Sequence, residues 1–318
     1  MSEFDSLHFQ SISFTGHAPG VRLIVLGAVH GNETCGTQAI RRVIAEIESG
    51  QLEIVAGSVT FVPVANPLAY ARQRRMGDRN LNRNLAPTDA PVEYEDRIAN
   101  WLCPLLAQHD VLLDLHSFHT AGQPFVMLGP QDNRGTLEPF ARAAEETALA
   151  LRLGVHRFVD GWLDTYAAGV ARRLAAGASS READVNYGVG TTEYMRAQGG
   201  IALTLECGQH DDPAAPEVAW NAIRNALAHL RLSDAPAPAR VADTEALRLY
   251  QVVDRVHVGD AFARDWSSFD RVRAGEVIGT RHGGTPVVAD SAGYIVFPNP
   301  NALPGQEWFY LAKRSTRV

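Results

Sequence analysis

Four side chains in this sequence have the types and spacing of a metal-assisted hydrolytic centre. His30 and Glu33 stand three positions apart in His-Gly-Asn-Glu, after an apolar run and before a stretch with helical spacing. An imidazole nitrogen and a carboxylate oxygen are both good ligands for Zn²⁺, and side chains three apart around such a turn can converge on one point. Alone, the pair is also what a solvated loop histidine and a dipole-favoured helix N-terminal glutamate look like. Asp-Leu-His-Ser adds Asp114 and His116, two apart in a strand and therefore on one face. A charged Asp114 inside a buried strand is costly unless something pairs with it. Accepting an N–H from a liganding histidine, and so fixing its tautomer, supplies that partner. Two histidines and one glutamate leave a coordination position for water, which marks a catalytic rather than a structural zinc. Glu206, in the apolar run Leu-Thr-Leu-Glu-Cys-Gly, is a second costly carboxylate. Near an activated water it has a use, as general base toward the nucleophile and then as general acid toward a leaving amine. A buried structural ion pair is the alternative.

The segment 74–85, Arg-Arg-Met-Gly-Asp-Arg-Asn-Leu-Asn-Arg-Asn-Leu, is dense in arginine and asparagine. Arg75, Asn82 and Arg83 are its members of interest. A guanidinium binds a carboxylate through two parallel hydrogen bonds, and another can stabilise an oxyanion. A solvated basic loop is the plain alternative, less attractive in an otherwise acidic chain. His119 is read as a residue at the rim of the site and His210 as loop. The glycine-rich stretch 188–200 fits no phosphate-binding spacing and is expected to be a mobile loop beside the cavity.

Elements must position these residues. The β-branched run 21–29, then 58–67, 110–117, 124–129 and 201–208, read as buried strands. Helical spacing marks 34–47, 93–108, 137–153 and 217–232. Strands alternating with helices predict an α/β layered fold whose central sheet is mixed and largely parallel. Strand ends in such sheets are where open α/β folds place their sites. Segment 233–243 is rich in Pro, Ala and Asp and reads as a linker. Short β-like runs separated by glycines follow it. The expected organisation is a catalytic domain over 1–235 and a small all-β sandwich or barrel over 236–318.

Composition narrows the function classes. Of 318 residues, 46% are hydrophobic and 20% charged, as in an ordinary globular protein. A net charge of −7 gives no reason to expect a nucleic-acid or membrane partner, both of which favour basic surfaces. No apolar stretch is long enough to span a bilayer, and the acidic N-terminus lacks the pattern of a secretory signal. Three scattered cysteines, without Cys-x-x-Cys spacing, argue against disulfides and thiolate metal sites. The expectation is a cytoplasmic protein, with a homo-oligomer left open.

His-Gly-Asn-Glu, Asn-Leu-Asn-Arg, Asp-Leu-His-Ser and the Glu-Cys-Gly glutamate, in that order and spacing, resemble the succinylglutamate desuccinylase/aspartoacylase family of zinc-dependent deacylases related to the zinc carboxypeptidases. The resemblance runs over roughly residues 20–230. It implies a zinc carboxypeptidase-like fold and one Zn²⁺ per chain on His30, Glu33 and His116, with Glu206 as general base. It further implies that Arg75 stabilises the oxyanion, that Asn82 and Arg83 grip a substrate carboxylate, and that Arg196 and Tyr310 also reach the substrate. The expected activity is hydrolysis of an N-acyl amino acid or similar small carboxylate. A metallocarboxypeptidase on short peptides and a non-catalytic zinc- or carboxylate-binding protein are the rival readings.

Overall fold

The computed structural model describes residues 7–179 and 181–318. Its first part alternates as the apolar pattern requires: β1 (Ile12–Thr15), β2 (Ala18–Leu26), α1 (Cys35–Glu48), β3 (Ala56–Val62), α2 (Pro67–Ala71), α3 (Tyr94–Ala107), β4 (Val111–Phe118) and β5 (Phe125–Met127). There follow α4 (Ala143–Ala150), β6 (Arg157–Asp160), α5 (Trp162–Ala175), α6 (Thr191–Ala197), β7 (Ile201–Gln209) and α7 (Ala215–His229). The last part is β throughout: β8 (Glu245–Asp254), β9 (Ala261–Phe262), β10 (Arg271–Val272), β11 (Val277–Thr280), β12 (Pro286–Val288), β13 (Gly293–Val296) and β14 (Glu307–Arg314).

Eleven strands form one sheet in the order β1-β3-β2-β4-β7-β5-β6-β8-β14-β13-β10. From β3 to β8 the neighbours are parallel except for β7 and β5, while β1 and the β14-β13-β10 flank join antiparallel. A separate antiparallel sheet, β12-β11-β9, completes the C-terminal part. Strand alternation splits the core into two layers. Leu23 and Val25 face Ile40 and Val43 of α1 and Ile223 of α7, whereas Ile24 and Leu26 face Leu68 of α2, Ile98 and Leu102 of α3 and Met195 of α6. Apolar side chains on both faces make these strands continuous hydrophobic runs, as expected of a covered parallel sheet.

The fold class agrees with expectation, and three local readings change. The C-terminal part is β-rich as expected, but β8 pairs with β6 and carries β14, β13 and β10 into the central sheet, so the sheet runs through the expected boundary near 236. The helix expected over 137–153 is confined to α4; before it, Asn133 and Phe140 form an isolated bridge. The stretch 188–200 contains α6, a helix closed at its start by the Glu193 carboxylate accepting from the Gly190 N–H at 2.9 Å. Among the described residues no helix is long and apolar enough to cross a membrane. Cys35, Cys103 and Cys207 are buried free thiols.

Candidate metal centre and active-site cavity

The carboxyl ends of β2, β4 and β7 lie side by side, and each delivers one part of the centre. Beyond β2 the chain turns through His30 to Glu33, whose N–H donates to the His30 carbonyl at 3.1 Å, and then enters α1. Gly31 has no room for a side chain: a Cβ there would fall 2.0 Å from the Ala69 carbonyl carbon of α2. On β4, Asp114 and His116 share a face, and His116 stands in register with Glu206 of β7.

His30, Glu33 and His116 are all buried, and one ligand atom from each can be chosen so that the three lie within 4.8 Å of one another. Nδ1 of His30 lies 2.8 Å from Glu33 Oε1, and Nδ1 of His116 lies 2.8 Å from Glu33 Oε2. His30 Nε2 has an acceptor in Asn80 Oδ1 at 3.0 Å, whereas His116 Nε2 lies 2.9 Å from Asp114 Oδ2 as an ion-pair contact without hydrogen-bond geometry. With the His30 Nε2–H turned to Asn80, its bare Nδ1 lone pair faces the Glu33 carboxylate, an arrangement that repels unless a proton or a cation sits between them. Two imidazoles and a carboxylate with oriented outer partners form a donor set that fits zinc and leaves room for a further ligand.

The electrostatics express the same need. Burial disfavours charge on His116, yet Asp114 and then Glu33 outweigh it and raise its pKa well above the ordinary histidine value. Burial and the nearby Arg75 bring His30 down to about 4. Glu33, though buried, is pulled well below the usual carboxylate range by the two histidines. Glu206 goes the other way: burial first, with Glu33 and Asp114 against the pull of His116 and Arg75, pushes it up to about 8. Its Oε2 is buried without a hydrogen-bond partner, the state of a carboxyl waiting for something to enter the site.

The arginine-rich segment is held by one buried carboxylate. Glu95 of α3 accepts from the N–H groups of Gly77, Asp78 and Arg79 and from Asn66 Nδ2, at 2.9–3.2 Å. Thus fixed, Arg75 donates to Glu33 Oε1 at 3.0 Å and remains partly exposed. Asn82 Oδ1 accepts from the Thr191 N–H at 2.9 Å, and Gly190 permits the approach, since a Cβ there would meet Asn82 Oδ1 at 2.1 Å. Thr191 also donates to Asp114 Oδ2, so α6 ties Asn82 to the carboxylate behind His116. Arg83 lies over the Trp162 ring at 4.8 Å, with Nη2 3.4 Å from Glu307 Oε1 of β14. Tyr310, three residues along β14, is buried with its hydroxyl unpartnered; burial and Glu307 raise its pKa well above the ordinary value.

Apart from Asn66, Glu95, Asp114 and Thr191, the side chains named above line one cavity of about 1540 Å³. Its far walls include Met127 of β5, Leu137 and Glu138, Trp162 of α5, and Phe297, Leu303 and Glu307 from the C-terminal part. His119 lines it too, lowered to about 4 by burial and Arg75. His210 holds Ser117 Oγ through Nδ1 at 2.8 Å and packs edge-on against His119 at 5.2 Å. Arg196 reaches the cavity wall, but its nitrogens are engaged: Nε with Glu146 at 2.8 Å, Nη1 with Glu138 at 2.8 Å and Nη2 with the Ala202 carbonyl at 2.7 Å. Sequence reasoning passed over Asn80, Thr191, Glu138, Glu146 and Glu307. Only Asn80 had a local signal, its place between Arg79 and Asn82.

Comparison with known proteins follows the same lines. The family described as "Succinylglutamate desuccinylase/Aspartoacylase catalytic domain" matches residues 19–231. Succinylglutamate desuccinylase of Pseudomonas paraeruginosa is 25% identical over 313 residues, 90% of this chain and 82% of that protein. N-acyl-aromatic-L-amino acid amidohydrolase (carboxylate-forming) of Rattus norvegicus is 38% identical over 112 residues, which take in 31% of this chain and only 34% of the rat protein. The solved structure of a succinylglutamate desuccinylase/aspartoacylase from Rhodobacter sphaeroides superimposes with a TM-score of 0.72 at 16% identity, over 96% of this chain and 90% of that one, and shows the shared fold.

Proposed function

The chain belongs to the succinylglutamate desuccinylase/aspartoacylase family, and on that premise we propose that it is a zinc-dependent deacylase cleaving the amide bond of an N-acyl amino acid or a similar small carboxylate. The observation that carries this reading is Glu206: a buried carboxyl with an unpartnered oxygen, pushed up to about 8, next to a His-Glu-His group in one cavity. His30, Glu33 and His116 would hold the metal. When bound, a divalent cation supplies Lewis acidity toward the acyl carbonyl and makes water a nucleophile near neutral pH.

This chain's own residues do the rest. Glu206 accepts a proton from the attacking water and delivers it to the departing amine nitrogen; its environment puts it in the range where a carboxyl serves as both base and acid. Arg75 donates to the acyl oxygen as charge builds on it. Asn82, held by Thr191, and Arg83, held over Trp162, grip the substrate carboxylate and fix the amide against Glu206. Tyr310 offers its unpartnered hydroxyl to the same substrate from the C-terminal side. Walls from Phe297 to Tyr310 close one side of the cavity, which favours small acylated amino acids over extended peptides.

The test is hydrolysis by the zinc-loaded protein, with N-acetyl and N-succinyl amino acids on one side and dipeptides and tripeptides on the other. Release of carboxylate from the acylated substrates is expected. Turnover of peptides alone would replace this reading with a carboxypeptidase, and stoichiometric zinc without any hydrolysis would leave a binding protein.

A further inference from the structure

We propose that the substrate carries one carboxylate rather than two, and that Glu138, by closing off Arg196, makes the lobe of the cavity beside α6 select an uncharged or cationic group. The proposal rests on the deacylase reading and deepens it. Arg196 has a side chain only 3% exposed, held from three directions by Glu146, Glu138 and the Ala202 carbonyl, with Glu193 Oε1 3.7 Å away. It cannot swing free. Glu146, its main partner, is itself locked by the N–H groups of Gly129 at 2.7 Å and Ala202 at 3.0 Å, and a Cβ on Gly129 would strike Arg196 Nε at 2.4 Å. This wall therefore presents the carboxyls of Glu138 and Glu193 together with an Arg196 whose nitrogens are already engaged.

Elsewhere in the cavity the balance is similar. Arg83 faces Glu307, Arg79 faces Asp96, and Arg248 faces Asp160 and Asp164. Leaving aside Glu33 and Glu206 of the metal centre, the described lining holds seven carboxyls and seven guanidiniums, an even balance rather than a basic chamber. One anionic group can be met by Asn82 and Arg83. A second, placed toward α6, would lie against like charge in a partly dehydrated wall, where repulsion is little screened. Burial first, with Glu193 and Glu146 against the pull of Arg196, raises Glu138 to about 7, so its carboxyl repels a second anion in full only above that pH. Leu137, next to Glu138 in the chain, and Met127 add apolar lining to the cavity, suited to a neutral side chain or acyl tail.

The test uses the zinc-loaded full chain at about pH 8.5, where Glu138 is ionised, and four substrates: N-acetylnorleucine, N-acetyllysine, N-acetylglutamate and N-succinylnorleucine. The first two are expected to exceed the two dicarboxylates in kcat/KM by about 100-fold, the scale of an uncompensated like charge. Glu138→Gln is isosteric and frees part of Arg196, so the ratio of N-acetylglutamate to N-acetylnorleucine should rise about tenfold, the effect of relieving one partly screened charge. Dicarboxylates turned over as well as neutral substrates, or a ratio unmoved in a folded Glu138→Gln protein, would overturn the proposal. Should that variant not fold, competition on the wild type decides: hexanoate should inhibit and glutarate should not, and equal inhibition overturns the idea. Absence of turnover for every N-acyl amino acid would refute the deacylase reading itself. The charge preference is then read from calorimetric binding of N-acetylnorleucine against N-acetylglutamate, and equal binding, or none, overturns it.

Discussion

Glu206→Gln should do two opposite things, and the pair of effects identifies a residue placed for chemistry rather than for stability. Activity should fall by about 10²–10⁴-fold in kcat, the usual contribution of a positioned general base, with zinc still bound because the three ligand side chains are untouched. Stability of the metal-free protein should rise. The carboxyl has an ordinary value of 4.5 and stands at about 8 when folded. Between those values the folded chain keeps a proton that the unfolded chain has lost, so stability falls as pH rises through that window and the loss is complete above about 8. Converted at 1.36 kcal/mol per decade, the loss is on the order of 5 kcal/mol, or roughly 5–10 °C of melting temperature for a chain of this size. Glutamine cannot ionise and should escape it. The assay is thermal unfolding of chelator-treated wild type and variant from pH 5 to pH 8.5, read as the difference between the two. His30 and His119, both lowered to about 4, give a loss of stability toward acid that is common to both proteins and cancels. Melting curves that stay parallel across the range, or a variant with near-normal turnover, would refute the placement of Glu206.

Three further outcomes follow from the geometry. His116→Ala removes one of three ligands and should leave the purified protein with well under one zinc per chain by elemental analysis. Asp114→Asn keeps the shape but loses the charge behind His116 Nε2, and should weaken zinc binding by about 10–100-fold in a competition with a chromogenic chelator. Glu146→Ala strips Arg196 of its main partner and leaves the Gly129 and Ala202 N–H groups unpaired, so it should cost about 3–5 kcal/mol in denaturant unfolding. A loss under about 1 kcal/mol would mean that Arg196 finds another anion.

What could be read from the sequence was chemistry set against its own background. Asp114, His116 and Glu206 are conspicuous because each interrupts an apolar strand, where a polar group needs a reason. His30 and Glu33 are legible because a strand end and a helix start fix their separation. Residues whose roles depend on distant partners carry no such mark. Glu146 lies in an Ala-rich helix whose other glutamates look solvated, yet it is fully buried against a strand and an arginine 50 positions away. Glu307 meets Arg83 across 224 positions. α6 was hidden by the glycines on either side of it, which read as loop until Glu193 and Asn82 are seen to satisfy its first N–H groups.

The strand pairing that runs from β6 through β8 to β14 bears on how the molecule can be handled. Cutting before residue 236 would strip β8 from Arg157–Asp160 and leave an unprotected rim of backbone donors and acceptors, a template for adhesion between truncated copies. It would also remove Glu307 and Tyr310, taking one wall of the chamber with it. The N-terminal three quarters and the C-terminal quarter are therefore better expressed, purified and engineered as one indivisible piece than as exchangeable parts.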